Sequence, residues 1–184
     1  MLRTSTTDPL RIDEVPVPGT PGLLGLTICP GKQQADGVSG TWRRNLDVDL
    51  KAIAAWGASA IVNLVEEHEM RALGVADTAR RLPAGIDYLR LPIPDAGTPD
   101  GSWERQWALA SPGLHERLRA GERIVVHCKG GLGRTGLVVA RLLIELGTPP
   151  AEAVARVRRA RPGAIETDVQ LRYVLALAPR GLTS

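Results

Sequence analysis

Short β-branched runs alternate along this chain with stretches whose apolar residues recur every three or four positions, which predicts strands interleaved with helices. Strands are expected at residues 11–15, 23–28, 60–65, 86–93 and 123–127, each bounded by glycine, proline or polar residues. Leu46, Leu50, Ile53 and Ala54 keep helical spacing after Asn45, a cap residue, and Gly57 stops that helix. Residues 67–73 and 75–82 read as short helical pieces, and residues 102–120 as a longer one that Pro112 is expected to divide. The last third gives helices at 135–146, 150–159 and 167–177. This order predicts an α/β layer structure: a central, mostly parallel sheet with helices on both faces and a ligand at the carboxyl ends of the strands.

The polar opening segment is expected to fray, giving a flexible N-terminus over residues 1–10 and a single domain over 11–184. At 184 residues, with no break in composition, the chain is long enough for one proper core. Its 23 basic and 20 acidic residues leave a net charge of +3, which suits an anionic substrate. That excess is too mild and dispersed for nucleic acid. Two cysteines, no charged-then-apolar leader and no long apolar run imply a cytoplasmic protein with no membrane insertion. His68 and His115 stand alone without ligand-like spacing, so no metal site is expected and both should be solvated.

The chemistry concentrates in one segment, His127-Cys-Lys-Gly-Gly-Leu-Gly-Arg-Thr-Gly136, placed between the strand at 123–127 and the following helix. Glycine-rich backbone at a helix N-terminus lets successive N–H groups turn inward around an anion, and the helix dipole adds positive potential there. Lys129, Gly130, Gly131, Leu132 and Gly133 would form that cradle. Cys128 and Arg134, with five residues between them, stand at its two lips. Every neighbour favours an anionic sulfur, so Cys128 is the candidate nucleophile, and the planar fork of Arg134 can hold two phosphate oxygens together. Thr135 can donate a hydroxyl proton to the sulfur as it leaves. His127 is expected to act indirectly, orienting the loop from the strand end. No cofactor is implied, since arginine and amides supply the positive field.

This segment resembles the signature loop of the cysteine-dependent protein tyrosine and dual-specificity phosphatases, His-Cys, five residues, Arg, then Ser or Thr. A closer likeness, to the kinase-associated phosphatases, extends over Leu26-Thr-Ile-Cys-Pro-Gly-Lys32, Leu91-Pro-Ile-Pro-Asp-Ala-Gly-Thr-Pro-Asp100, Gly130-Gly-Leu-Gly-Arg134 and Gly163-Ala-Ile-Glu-Thr167, in the family's order. The resemblance implies a protein tyrosine phosphatase-like fold, a phosphocysteine intermediate, Asp95 as general acid, and a phosphorylated protein, such as a kinase, as substrate. Read from the residues alone, Asp95 is more readily a turn residue than an acid, and Asp100 is its rival.

Lys129 has lipid-phosphatase parallels, but Leu132 stands where those enzymes tend to carry a second lysine, which lowers a phosphoinositide reading. Residues 164–172 look like a glutamine loop with Glu166 in place of its first glutamine, leaving Gln170 as either a water-positioning residue or a helix cap formed with Thr167. Cys29 reads as structural, with a redox partnership to Cys128 as the other option. The competing class is an inactive phosphate-binding module. The substrate residue and the oligomeric state are not encoded in any motif of the chain.

Overall fold

The computed structural model describes residues 2–37 and 40–178. Eight strands and six α-helices follow one another among them: β1 (Leu2–Arg3), β2 (Asp13–Pro16), β3 (Leu23–Thr27), β4 (Gln33–Gly37), β5 (Gly40–Arg43), α1 (Leu46–Trp56), β6 (Ala58–Asn63), α2 (Glu67–Ala72), β7 (Asp87–Arg90), α3 (Gly101–Arg119), β8 (Arg123–His127), α4 (Gly133–Glu145), α5 (Pro150–Ala160) and α6 (Asp168–Leu175). The main sheet has the order β2-β3-β8-β6-β7, parallel throughout except for the antiparallel edge strand β2.

Side-chain alternation sorts the sheet residues onto two faces. Leu24, Leu26, Ala60, Val62, Ile124 and Val126 join Trp107, Leu118, Leu137 and Ile144 in the larger core, so α3 and α4 cover that face together with α5 and α6. Ile61 and Val125 point the other way and meet Leu46, Leu50 and Ile53 of α1. The expected layers are therefore present, with β8 in the middle of the sheet.

Three expectations are corrected. Pro112 does not divide the helix, and α3 runs unbroken through it. Its ring and Ala108, whose carbonyl loses its helical partner, both face solvent, while Trp107, Leu114 and Leu118 hold both halves against the core. The N-terminus does not fray: Leu2 and Arg3 pair in parallel with Thr41 and Trp42, Ser5 Oγ accepts from Asn45 N at 2.8 Å, and Arg44 donates to the Asp8 carbonyl at 2.7 Å. These residues form a small second sheet, β1-β5-β4, that the hydrophobic pattern did not announce. Within the stretch expected to be helical at 75–82, only a 3-10 turn at Thr78–Arg80 forms.

Candidate active site

Strand β8 ends at His127 and helix α4 begins at Gly133, so the intervening loop opens at the carboxyl end of the central strand. Its neighbours in register are Thr27 of β3 and Asn63 of β6. Gly131 makes the loop possible: it has a φ of +68° and lies so close to β3 that a Cβ there would sit 2.3 Å from the Thr27 carbonyl oxygen. In that conformation Gly131 N–H donates to Cys128 Sγ at 3.2 Å. Cys128 is buried under the loop, 3 % exposed.

Arg134, in the first turn of α4, is almost wholly buried and is gripped from the opposite side by a residue the sequence reading did not single out. Glu69 of α2 accepts from Arg134 Nη1 at 2.6 Å and from Nη2 at 3.0 Å. The Ile93 carbonyl accepts from Nη1 at 3.0 Å, and Asp95 Oδ1 accepts from Nη2 at 2.9 Å. Arg134 Nε is buried and has no hydrogen-bond partner among the described residues. Burial alone would lower the Arg134 pKa, but the Glu69 hydrogen bonds and the fields of Cys128, Glu69 and Asp95 outweigh it and raise it above the ordinary arginine value. For Glu69, burial pulls upward while Arg134 and the Glu66 N–H pull down harder, so its carboxyl stays below the ordinary glutamate range. The E-x-x-E capping box that opens α2 was the available signal for Glu69, since it predicts a carboxylate turned back toward the helix start.

Asp95 lies on the loop after β7, 60 % exposed at its side chain, and faces Arg134 across the mouth of the cradle. That loop is tied to the segment before α6. Gln170 donates through Nε2 to the Gly97 carbonyl at 3.1 Å, and Thr167 donates through Oγ1 to the Ala96 carbonyl at 3.3 Å. Gln170 Oε1 accepts from the N–H groups of Glu166 and Thr167, and the Thr167–Gln170 capping box is fully formed. Gly133 leaves room for this amide, because a Cβ there would lie 2.7 Å from Gln170 Oε1. The helix-cap reading of Gln170 thus holds, with a tether to the Asp95 loop added. Asp100, the alternative acid, is spent as the N-cap of α3, accepting from Trp103 N–H at 2.8 Å.

The remaining candidates fall around this centre. Thr135 Oγ1 is buried with no partner among the described residues. His127 is buried, and desolvation pushes its pKa down to about 4, so it is neutral in ordinary buffers. Lys129 is half-buried and lines, with Asp95, Glu69 and His68, a cleft of about 730 Å³. Gly130 is exposed at the rim and Leu132 is half-buried. Cys29 belongs to an apolar cluster with Val65, Met70 and Leu73, and burial pushes its thiol up to about 12. His115 is not solvated as expected; it is buried with Nε2 2.9 Å from Glu145.

A buried cysteine beneath an amide loop, faced by a clamped arginine and an exposed carboxylate, belongs to the cysteine-dependent phosphatases. The comparisons agree. Residues 36–148 match the model of a polymorphic toxin system DSP-PTPase phosphatase family. Cyclin-dependent kinase inhibitor 3 of Rattus norvegicus is 34 % identical over 160 residues, covering 83 % of this chain and 70 % of that protein. The PRL-1 protein tyrosine phosphatase of Trypanosoma cruzi is 48 % identical over 60 residues, 32 % of this chain and 34 % of its own. Among solved structures, kinase associated phosphatase with serine in place of its catalytic-site cysteine superposes with a TM-score of 0.78 at 28 % identity, covering 90 % of this chain and 92 % of that one. The active form of Tk-PTP gives 0.62 at 28 % identity, covering 89 % and 95 %. The chain belongs to the dual-specificity phosphatase family and is a cysteine-dependent protein phosphatase.

Proposed function

We propose that Cys128 is the nucleophile, Arg134 the phosphate clamp, Asp95 the general acid and base, and Thr135 the hydroxyl that eases the sulfur's departure. The observation that carries this reading is the state of Arg134. Glu69 fixes one side of the guanidinium, while Nη2 reaches the Asp95 carboxylate and Nε has no partner among the described residues. A phosphate that takes Nε and Nη2 replaces Asp95 on the arginine and frees Asp95 Oδ1 to carry a proton. Amides of Lys129 to Gly133 then hold the remaining equatorial oxygens above the sulfur.

The sulfur attacks phosphorus, the P–O ester bond breaks, and Asp95 gives its proton to the departing oxygen, leaving phosphocysteine. Water then attacks the same phosphorus and passes a proton to Asp95. The S–P bond breaks as Thr135 donates toward the sulfur, and inorganic phosphate leaves. His127, neutral and buried, holds the end of β8 and takes no proton in this scheme. Gln170 and Thr167 position the Asp95 loop through Gly97 and Ala96 rather than the attacking water.

The substrate side of the reading is a phosphorylated protein. The names of the rat relative and of the kinase associated phosphatase support a phosphorylated kinase as its class, and the uncharged Leu132 at the rim speaks for protein over phosphoinositide. Among the described residues no helix is long and apolar enough to cross a membrane. The test is turnover of a simple aryl phosphate alongside phosphotyrosine, phosphothreonine and phosphoserine peptides. Hydrolysis lost in Cys128→Ser supports the assignment, whereas tight phosphopeptide binding by the parent protein with no turnover would favour the inactive binding module.

A further inference from the structure

A cradle whose N–H groups turn inward must turn carbonyls outward, where each calls for a donor of its own. The structure supplies these donors from distant parts of the chain. Leu64 N–H meets the His127 carbonyl at 3.0 Å, Cys29 N–H the Lys129 carbonyl at 3.5 Å, and Ile165 N–H the Leu132 carbonyl at 3.3 Å. The Gly130 carbonyl is served instead by a side chain: Arg161, just past the end of α5, donates to it through Nη2 at 3.3 Å. That guanidinium is itself anchored. Arg161 Nη1 lies 2.6 Å from Asp13 Oδ2, both side chains are largely buried, and Arg11 takes the other carboxylate oxygen at 2.5 Å. Asp13 opens β2 and pairs with Leu26 of β3, the strand beside β8. The antiparallel edge of the sheet thus reaches the catalytic loop through Arg161.

The peptide that Arg161 grips is the one that faces the sulfur. The Gly130 carbonyl and the Gly131 N–H belong to one planar trans unit, so the two groups point in opposite directions. That same N–H donates to Cys128 Sγ at 3.2 Å. On the Gly130 side no atom lies within 4 Å of where a Cβ would be, so packing leaves that end of the unit free to turn. Its direction is held by the hydrogen bond to Arg161. A cation on the carbonyl oxygen also polarises the unit and strengthens the hydrogen bond that its N–H makes.

We infer that Arg161 is a positioning residue for the reaction: anchored by Asp13, it fixes the Gly130 carbonyl outward and so keeps the Gly131 N–H on the sulfur of Cys128. The inference rests on the phosphatase reading above and deepens it, because the sulfur that attacks phosphorus is then aligned in part from β2 and the end of α5, outside the signature segment. Arg161 acts through the peptide rather than by touching the reacting atoms.

The experiment measures two rates: kcat/KM on an aryl monophosphate, and alkylation of Cys128 by iodoacetamide at mildly acidic pH, located by peptide mass spectrometry. Iodoacetamide is neutral, so attraction of an anionic substrate does not enter the second rate. Removing a direct donor to a developing anion costs about 100- to 1,000-fold, and a group acting one peptide away should cost less. Arg161→Met, which keeps most of the stem, is expected to lower both rates by about ten-fold. Arg161→Lys keeps the charge but has no fork to bridge Asp13 and Gly130, so both rates should fall by at least about three-fold. Asp13→Ala removes a negative charge, and a bare field effect would speed alkylation; the positioning role requires it to slow, by about three-fold. Both rates within about two-fold of the parent in a folded Arg161→Met protein overturn the assignment, even if Tm falls, and so does faster alkylation in Asp13→Ala. Should Arg161→Met not fold, Arg161→Lys decides by the same two rates, and parent-like values overturn the role. A parent that hydrolyses no phosphoester fails the phosphatase reading alone, since alkylation needs no turnover and still decides what Arg161 does.

Discussion

Removing Glu69 isolates the part of the site whose partner lies far along the chain. Its carboxylate is 8 % exposed and the Arg134 side chain 1 %, and the two are joined by contacts of 2.6 and 3.0 Å. Deleting one member of a buried ion pair costs about 3–5 kcal/mol, because the other charge is stranded. Asp95 and the Ile93 carbonyl still reach Arg134, so Glu69→Ala belongs at the low end, about 3 kcal/mol. For a chain of this length that lowers Tm by roughly 6–12 °C in calorimetry. The guanidinium also loses the contact that fixes its direction, and a displacement on the order of 1 Å at a clamp costs about 100-fold in kcat/KM. Glu69→Gln keeps one acceptor and should fall between parent and alanine in both measurements. The sign with pH is fixed as well. Glu69 has a folded pKa below its unfolded value, so its contribution is complete above the ordinary glutamate range and is lost as pH falls through the folded value. Parent stability should therefore drop more steeply on acidification than that of Glu69→Ala. A Tm within about 2 °C of the parent, with kcat/KM within about three-fold, would refute the clamp.

Asp95→Asn should lower kcat/KM by about 100- to 1,000-fold on alkyl phosphates and much less on an aryl phosphate whose leaving group needs no proton, read by steady-state kinetics. Gly131→Ala forces a Cβ to 2.3 Å from the Thr27 carbonyl at a positive φ, so the loop must open and phosphate affinity should vanish in inhibition assays. His127 has an unfolded pKa near 6.5 and a folded one of about 4, so its share of stability is intact above 6.5 and disappears as pH falls toward 4, about 3 kcal/mol in all. His127→Gln should flatten the denaturation midpoint across that window. Gln170→Ala, which frees the Gly97 carbonyl, should reduce kcat on alkyl phosphates while leaving the KM for an aryl phosphate nearly unchanged.

The strand–loop–helix geometry around Cys128 was legible because its parts are consecutive: a β-branched strand, glycines, and an arginine on the first helical turn. Layer order was legible for a similar reason, since the period of two in 123–127 places Val125 opposite Ile124 and Val126 and each face found its helices. What escaped depends on partners far along the chain. Glu69 meets Arg134 across 65 positions, and although the capping box turns its carboxylate toward the start of α2, nothing in the α2 sequence says that an arginine waits there. Strand β4 reads Gln-Gln-Ala-Asp-Gly and has no buried face to impose an alternating pattern, so the small sheet could not be seen. Pro112 misled because its local cost is outweighed by burial of Trp107 and Leu114 on either side.

The most direct test of the chemistry is to quench turnover of a phosphorus-labelled aryl phosphate with denaturant within the first milliseconds and to map the label by peptide mass spectrometry. Label on the peptide that contains Cys128, absent in Cys128→Ser and accumulating in Asp95→Asn, is the expected result. Undiminished hydrolysis by Cys128→Ser, or steady turnover in the parent with no label on that cysteine at any time, would contradict a phosphocysteine intermediate.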